Sequence, residues 1–219
     1  MNSKNEILNR LRQVKNPDPK NVISQWEDKG LFKNFPDKSD NLTDIFKYQL
    51  EKLSGDIYVV NNKEEAIKKL RYLLKKIEPD QCKSHKCTLI GDLKRVSPEI
   101  RDYLNDMDEL NLTSEEYANF EVGISGADCL VARTGSILLR AISSGGRRLS
   151  VLPPIHIVIA EEKQIVASLD EAFAFLDTVP DTWSYATIIS GPSRTSDIEK
   201  QLVLGAHGPK KLIVILLND

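Results

Sequence analysis

The sequence predicts an α/β protein preceded by a helical arm, on the strength of three observations. Residues 1–54 show helical periodicity without strand patterns, whereas strand and helix patterns alternate from Asp56 onward. The final strand pattern, L-I-V-I-L-L at 212–217, is apolar throughout, as is typical of a strand buried on both faces of a parallel or mixed sheet. The 219 residues suffice for one sizeable core. We therefore expect a helical arm over 1–54 and an α/β domain over 55–219.

The arm contains two helical patterns separated by a proline-bearing joint. Apolar residues at helical spacing predict one helix from Ile7 to Val14, which the segment N-P-D-P at 16–19 ends. A second set predicts another helix over 42–53. Large aromatic residues lie in the connecting loop, so we expect the arm to dock on the body or on another subunit.

The first half of the α/β domain begins with a strand–helix unit. The run I-Y-V-V predicts a strand at 57–60, and Asn62 is a good N-cap for a helix over 63–77. A second strand is expected at 88–90, and Ser97 followed by proline predicts the start of another helix. This order of elements is that of a layered α/β fold.

The second half is richer in strands. The run at 127–141 predicts two strands around a Thr-Gly turn, and the run at 147–160 predicts two more around a Pro-Pro pair, in an antiparallel meander. A capping box that begins at Ser168 starts the next helix. Residues 185–189 are expected to form a buried strand before the chain returns to the last strand.

Charge, hydropathy and cysteine content limit the function classes. A net charge of −2, from 30 basic and 32 acidic residues, argues against nonspecific binding to nucleic acid or to an anionic membrane. No apolar stretch approaches the roughly 20 residues of a membrane span, and the N-terminus lacks a signal-peptide core, so we expect a cytoplasmic protein.

The three cysteines argue against a disulfide framework. Cys82, His85 and Cys87 lie close together and invite a zinc interpretation, but no second Cys/His pair completes four ligands. We therefore expect no metal site. The alternative is that Cys87 begins a buried strand while the other two residues lie in its polar approach.

A small-anion site is predicted at the 190–197 loop. Gly191 and Pro192 end the preceding strand, and a capping box from Ser196 to Glu199 predicts an amphipathic helix. Free amides and the positive end of that helix favour a carboxylate or a phosphate. The alternative is that the hydroxyl groups only cap the helix. The residues expected to bind the anion are Ser190, Gly191, Ser193, Arg194 and Thr195.

Two further turns are candidates for the same site. The T-G-S turn offers hydroxyls and amides to an anion, although it is equally a common hairpin connection. Arg148 follows a flexible glycine pair that lets a cation reach a ligand, although surface arginines are often solvated. Because loops at the carboxyl ends of strands converge in open α/β sheets, we expect several of these turns to meet. The turn residues are Thr134, Gly135 and Ser136.

Two residues are candidates for acid/base catalysis. His207 lies in the loop G-A-H-G-P, where a titratable side chain has no packing role. Asp128 follows a glycine turn, where its carboxylate acts as an acid/base group or caps a neighbouring amide. His156 lies within a strand, and a hydrogen-bonded core histidine is the commoner outcome there. No Walker A loop, G-x-G-x-x-G, H-E-x-x-H or G-x-S-x-G motif is present.

Four blocks, in order, resemble the lactate-utilization protein C family, the LUD-domain group. They are G-I-S-G-A-D at 123–128, T-G-S at 134–136, G-R-R-L-S-V-L-P-P-I-H-I-V at 146–158, and the long run at 189–209. The resemblance implies the fold superfamily of glucosamine-phosphate and ribose-phosphate isomerases and CoA transferases, a three-layer α/β/α domain with a mixed, mainly parallel sheet. Family members often carry an acidic residue before the T-G turn, where this chain has Arg133, which favours anion binding.

The resemblance also implies a role in oxidising L-lactate to pyruvate beside iron–sulfur partner proteins. Three scattered cysteines fall short of the four thiolates of a cluster, so we expect no cofactor in this chain and clusters only in its partners. The leading hypothesis is a non-redox subunit that binds a small acid. The alternatives are an independent sugar-phosphate isomerase or acyl-CoA transferase-like enzyme, with Asp128 and His207 as its acid/base pair, and a non-catalytic adaptor. Whether the chain is itself catalytic stays open.

Overall fold

The computed structural model describes residues 41–78, 82–84, 90, 93, 105–106, 119–141, 146–179, 184–196, 202–204 and 208–218. Their helices are α1 (Leu42–Lys52), α2 (Lys63–Ile77), α3 (Gly146–Leu149) and α4 (Leu169–Thr178), with short 3-10 turns at Ala132–Thr134 and Glu162–Gln164. Their strands are β1 (Asp56–Val60), β2 (Cys82–Ser84), β3 (Asn105–Asp106), β4 (Val122–Ser125), β5 (Cys129–Val131), β6 (Ser136–Arg140), β7 (Ile155–Glu161), β8 (Ile165–Val166), β9 (Ala186–Ile189), β10 (Arg194–Ser196), β11 (Leu202–Leu204) and β12 (Lys211–Leu217). Within these residues no helix is long and apolar enough to cross a membrane.

A six-stranded sheet in the order β1-β12-β7-β4-β2-β3 forms the centre of the fold, and its pairs are parallel. β12 lies between β1 and β7, and its residues from Leu212 to Leu217 are buried. This confirms the prediction, because a strand covered on both faces needs apolar side chains at every position.

A second, four-stranded sheet in the order β8-β5-β6-β9 is mixed. β5 and β6 are antiparallel and joined by the 3-10 turn that ends at Thr134, as the Thr-Gly turn predicts. β9 pairs antiparallel with β6, and β8 pairs parallel with β5. β10 and β11 form a separate antiparallel hairpin.

The two sheets pack face to face and are flanked by helices. α2 covers the outer face of the parallel sheet through residues such as Leu70 and Leu74. The inner face, with Val158 and Val214, packs on the mixed sheet and on α1. α4 packs on the other face of the mixed sheet through Ala172. The α/β class is thus confirmed, and the layer against the inner face combines the mixed sheet with one helix.

Helix α1 forms where helical spacing predicts it, with Asn41 as its N-cap. Phe46 and Leu50 are fully buried in the core between the two sheets. The Thr43 hydroxyl donates a hydrogen bond to Glu162 beyond the end of β7. Although the sequence assigns α1 to the arm, its apolar face belongs to the core of the α/β domain. The first arm helix and the aromatic loop lie outside the described residues.

Two helix predictions are confirmed with their caps. α2 spans 63–77, its N-cap Asn62 accepts from the amide of Glu65, and it ends at Glu78 in a left-handed conformation. α4 begins after Ser168, whose side chain accepts from the amide of Glu171. Local capping chemistry therefore fixed both helix starts.

Three strand predictions need correction. The second strand lies at 82–84, and Ile90 is helical, so the strand expected at 88–90 is wrong there. Residues 146–149 form α3 instead of a strand, because the prolines that follow cannot donate to a ladder and the chain turns before β7. β9 is partly exposed, since it is the edge of its sheet.

The helix expected from Ser196 is also wrong at the residues that the structure describes, namely 196 and 202–204. Residues 194–196 are extended and pair with 202–204, with Thr195 opposite Val203. The spacing of apolar residues in this short run fits both a helix and a hairpin, and its β-branched residues favour the strand. The described residues 194–196 and 202–204 therefore give no support to the helix end on which the anion prediction partly rested.

Candidate functional site

Two predicted turns meet at the C-terminal end of α1, and glycine makes this possible. Gly135 has φ 61°, and a Cβ atom built on it would lie 2.5 Å from the backbone nitrogen of Leu50. Gly191 has φ 83°, and its Cβ would lie 2.8 Å from the carbonyl oxygen of Leu53. Both positions require a left-handed backbone and no side chain. The T-G-S turn and the S-G-P turn thus lie against the same helix.

Side-chain hydroxyls gather where these turns meet. The Oγ atoms of Ser136 and Ser190 are 2.7 Å apart. Ser136 is buried, whereas Ser190 is exposed. The Thr134 Oγ1 atom is buried and has no hydrogen-bond partner among the residues that the structure describes. Thr134 stands two residues before Ser136 in the same turn, and we use the name hydroxyl cluster for Thr134, Ser136 and Ser190.

Ser193, the next residue of the predicted site, is hydrogen-bonded to the segment just before the last strand. The backbone N–H of Ser193 donates to the carbonyl of Pro209 at 2.8 Å, and a Cβ on Gly208 would lie 3.2 Å from the Cβ of Ser193. The loop that carries His207 therefore returns to Ser193 at Gly208. His207 itself lies outside the described residues, as do the side chains of Arg194 and Thr195.

The hydroxyl cluster lies at the amino-terminal edge of the parallel sheet. Leu53, which contacts Gly191, precedes β1, and Pro209, which bonds Ser193, precedes β12. We expected the turns at the carboxyl edge, where open α/β sheets usually bind ligands. That expectation is wrong for these two turns, because antiparallel β6 and β9 carry them to the opposite edge.

The electrostatics of the cluster differ from the prediction. The carbonyl end of α1, which carries partial negative charge, packs on both turns. Ser196 is the last residue of β10, and residues 202–204, which the prediction placed in a helix, are a strand. Attraction of an anion here would rest on hydroxyl and amide donors and on cationic side chains.

Asp128 lies apart from the hydroxyl cluster. Its Oδ2 accepts from the backbone N–H of Arg140 at 2.6 Å, and its Oδ1 accepts from Nε at 2.9 Å and lies 2.8 Å from Nη2. The carboxylate thus ties the start of β5 to the end of β6. Since Ser136 pairs with Val131, Asp128 is separated from Ser136 by about 10 Å of strand.

Arg148 is exposed on α3, also at the amino edge of the parallel sheet. The carbonyl of Leu149 lies 2.5 Å from a Cβ built on Gly123, the second residue of β4. Gly123 therefore provides the space into which α3 packs. Arg148 shares an edge with the hydroxyl cluster but sits over β4 and β7, whereas the cluster sits beside β1 and β12.

A polar pair lies inside the core, where the sequence predicted a hydrogen-bonded His156 but did not identify its partner Ser125. The Oγ of Ser125 and the Nε2 of His156 are 2.8 Å apart, and both residues are fully buried. Ser125 Oγ also bonds the carbonyl of Gly126 at 2.9 Å. Burial lowers the pKa of His156 to about 4, so the ring is neutral at physiological pH. Alternation on β7 was the available signal, since it turns His156 away from Ile155 and Ile157.

The described part of the chain holds no group of three or more His, Cys, Asp or Glu residues arranged to bind a metal ion. Cys82 and Cys129 are buried, reduced thiols. His85 and Cys87 lie outside the described residues, so the zinc alternative remains an interpretation of the sequence alone.

Comparison with known proteins places the chain in a family. Residues 43–217 match the family model of the LUD domain, from the second residue of α1 to the last residue of β12. The chain belongs to the LUD domain family. The match covers most of the chain and includes the hydroxyl cluster, the Asp128–Arg140 pair and the buried His156.

Several relatives of this LUD-domain chain are named lactate utilization protein C. A lactate utilization protein C of Bacillus subtilis is 36% identical over 141 residues, which cover 61% of this chain and 57% of that protein. Its counterpart in Bacillus velezensis is 37% identical over 116 residues, or 50% and 46% of the two chains. An uncharacterised Neisseria meningitidis protein is 33% identical over 105 residues, 48% of this chain and 45% of its own. The chain thus matches about half the length of these relatives.

A solved structure supports the fold. The crystal structure of a DUF162 family protein from Deinococcus radiodurans matches with a TM-score of 0.58 and 19% identity. The match covers 83% of this chain and 99% of that chain. At this identity the likeness establishes the α/β fold alone.

Proposed function

We propose that this LUD-domain protein is a component of an L-lactate to pyruvate oxidation system and acts with iron–sulfur partner proteins. The observation that carries the proposal is the family match, together with the relatives named lactate utilization protein C. On this proposal, electrons pass through clusters held by the partners, and this chain contributes a binding surface for a small acid.

We further propose that the small acid binds at the hydroxyl cluster and the adjoining 190–197 loop. The close contact of the Ser136 and Ser190 hydroxyls and the buried oxygen of Thr134 support this location. A carboxylate can accept from hydroxyls and from the backbone amides of a glycine turn. Arg194, the first charged residue after the cluster, would add the counter-charge.

The independent-enzyme hypothesis receives less support. It needs Asp128 as an acid or base, yet both oxygens of that carboxylate are held by Arg140. It also needs Asp128 close to the other site residues, from which the β5–β6 hairpin separates it. These contacts favour a structural role for Asp128 and leave the lactate hypothesis ahead.

Growth on L-lactate tests the proposal. In a strain of the source organism lacking this gene, the intact gene should restore growth on L-lactate and leave growth on glucose unchanged. The double variant Ser136→Ala/Ser190→Ala should restore little growth because it removes two hydroxyl donors. Thr178→Ala is the matched control, since its exposed hydroxyl donates to the neighbouring carbonyl of Phe175 at the end of α4.

The outcomes separate the two parts of the proposal. If the intact gene makes no difference to growth on L-lactate, the lactate role is wrong. If the double variant is folded by circular dichroism and supports growth like the unaltered protein, the lactate role stands and the location of the site is wrong.

A further inference from the structure

The hydrogen bonds of Ser125 decide which ring nitrogen of the neutral His156 carries the proton. The Ser125 hydroxyl donates to the carbonyl of Gly126 at 2.9 Å, and this bond uses its single proton. The Oγ atom, which is 2.8 Å from Nε2, must then accept a hydrogen bond from the ring. His156 is therefore protonated at Nε2, and its Nδ1 atom is an acceptor.

The Nδ1 atom is directed toward the amino-terminal edge of the parallel sheet. His156 pairs with Gly123 on β4, whereas Ser125 lies two residues closer to the carboxyl end of that strand. Because the two ring nitrogens point in nearly opposite directions, Nδ1 is directed back toward Gly123. It is buried and has no hydrogen-bond partner among the residues that the structure describes. A buried acceptor without a donor is costly, so a donor is expected beside it.

A second buried acceptor lies beside Gly123. The carbonyl oxygen of Leu149 is 2.5 Å from a Cβ atom built on Gly123, and Leu149 is fully buried. In a continuing helix the amide four residues later would donate to this oxygen, but that residue is Pro153, which has no N–H. Among the described turns and loops, no backbone amide donates to it. This carbonyl therefore also needs a donor.

The two acceptors lie on the same face of the sheet. Val158 packs on the inner face, and alternation along β7 places His156 there as well. Gly123 is its partner in register on a strand about 4.8 Å away, and the Leu149 carbonyl covers Gly123 on that face. Each hydrogen bond from a water is about 2.8 Å long, so one water joins acceptors up to about 5.6 Å apart. The distance between the strands suits such a bridge.

We propose that a buried water molecule donates one hydrogen bond to Nδ1 of His156 and the other to the carbonyl oxygen of Leu149. A water has two O–H donors, which match the two acceptors, and buried waters usually satisfy polar groups of this kind. The water completes a chain of hydrogen bonds from α3 through His156 and Ser125 to Gly126, at the carboxyl end of β4. The inference is independent of the lactate proposal.

Nitrogen NMR of the full chain at neutral pH tests the tautomer. The chain has three histidines, and the signals lost in His156→Gln identify those of His156. We expect the proton on Nε2, and an Nδ1 resonance at lower frequency than that of an unprotonated ring nitrogen without a hydrogen bond. A proton on Nδ1 would overturn the proposal.

A high-resolution crystal structure of the full chain tests the water itself. It should show one ordered water within hydrogen-bond distance of both Nδ1 of His156 and the carbonyl oxygen of Leu149. A well-ordered core without a water at this position, or a protein atom that donates to Nδ1, would overturn the proposal.

A substitution at Gly123 gives a further readout. In Gly123→Ala the new Cβ displaces the Leu149 carbonyl, so the water loses one of its two acceptors and the Nδ1 resonance should move to higher frequency. Gly55→Ala is the matched control, because its Cβ is similarly crowded, 2.6 Å from Cδ1 of Leu50, in another part of the core. It should leave the His156 signals unchanged. Equal signals in the unaltered protein and in folded Gly123→Ala would contradict the bridge, and the crystal structure decides if that variant does not fold.

Discussion

The backbones of Gly135 and Leu50 are in direct contact, and the contact leaves no room for a side chain at position 135. It joins a turn of the mixed sheet to the last full turn of α1. The hydroxyl cluster lies beside this contact, so the position of α1 against Gly135 determines the geometry of the proposed site.

Gly135→Ala should therefore destabilise the protein by about 2–4 kcal/mol, since alanine disfavours the left-handed backbone and its Cβ would displace α1. Urea denaturation followed by circular dichroism measures the change. Ser184→Ala, at an exposed position before β9, is a control that should change stability little. An unchanged midpoint for Gly135→Ala would contradict the close approach.

Removing the negative charge of Asp128 should lower the free energy of unfolding rather than remove a catalytic group. Asp128→Asn removes the negative charge that faces Arg140, and breaking such a largely buried ion pair should lower the free energy of unfolding by about 3 kcal/mol. Arg140→Met and the double variant complete a double-mutant cycle. Additive losses would show that the two side chains are not coupled and would reopen a catalytic role for Asp128.

The free energy of unfolding should decrease as the pH is lowered, because burial disfavours the protonated form of His156 in the folded state. Burial lowers its pKa from 6.5 to about 4, so between these values the unfolded chain binds a proton that the folded chain does not. Stability is complete above pH 6.5 and declines on acidification to pH 4, by about 3 kcal/mol at most.

His156→Gln should remove that part of the pH dependence. Denaturation curves of both proteins from pH 4 to pH 7 give the difference, because other groups titrate alike in the two. Parallel curves would mean that His156 is accessible to protons in the folded protein.

The thiol of Cys129 should be inert in the folded protein. Burial and the neighbouring Asp128 raise its pKa to about 11, with Arg140 acting in the opposite direction, and thiolates are the reactive form. In a Cys87→Ser background, an alkylating reagent at pH 8 should modify the native protein slowly. The rate should rise sharply in denaturant. Rapid modification of Cys129 under native conditions would contradict its burial.

The sequence predicts the elements whose signals are local. α2 combines an N-cap at Asn62, apolar residues at helical spacing and fifteen residues of length, and the structure reproduces its bounds. β12 is apolar along its whole length and lies inside the parallel sheet. In both cases the local pattern and the tertiary environment require the same conformation.

The sequence does not predict the features that depend on contacts between distant segments of the chain. Residues 196–199 match a capping box, yet residues 194–196 pair with 202–204 as antiparallel strands. The meeting of Ser136 and Ser190 depends on the register of β6 with β9, over 54 positions of sequence separation. The amino-edge location of the cluster follows from the direction of those strands, which side-chain periodicity does not encode.

The sheet order has a consequence for the timing of folding during synthesis. β1 is joined to the parallel sheet through β12, and β12 also lies against β7. Residues 56–60 are synthesised about 150 residues before residues 211–217. During most of translation, β1 therefore has no β12 to pair with. Such long-range parallel pairing is slow, and the nascent chain exposes apolar β1 until β12 inserts. We therefore expect the folding of this protein in the cell to depend on chaperones more than its modest length alone would suggest.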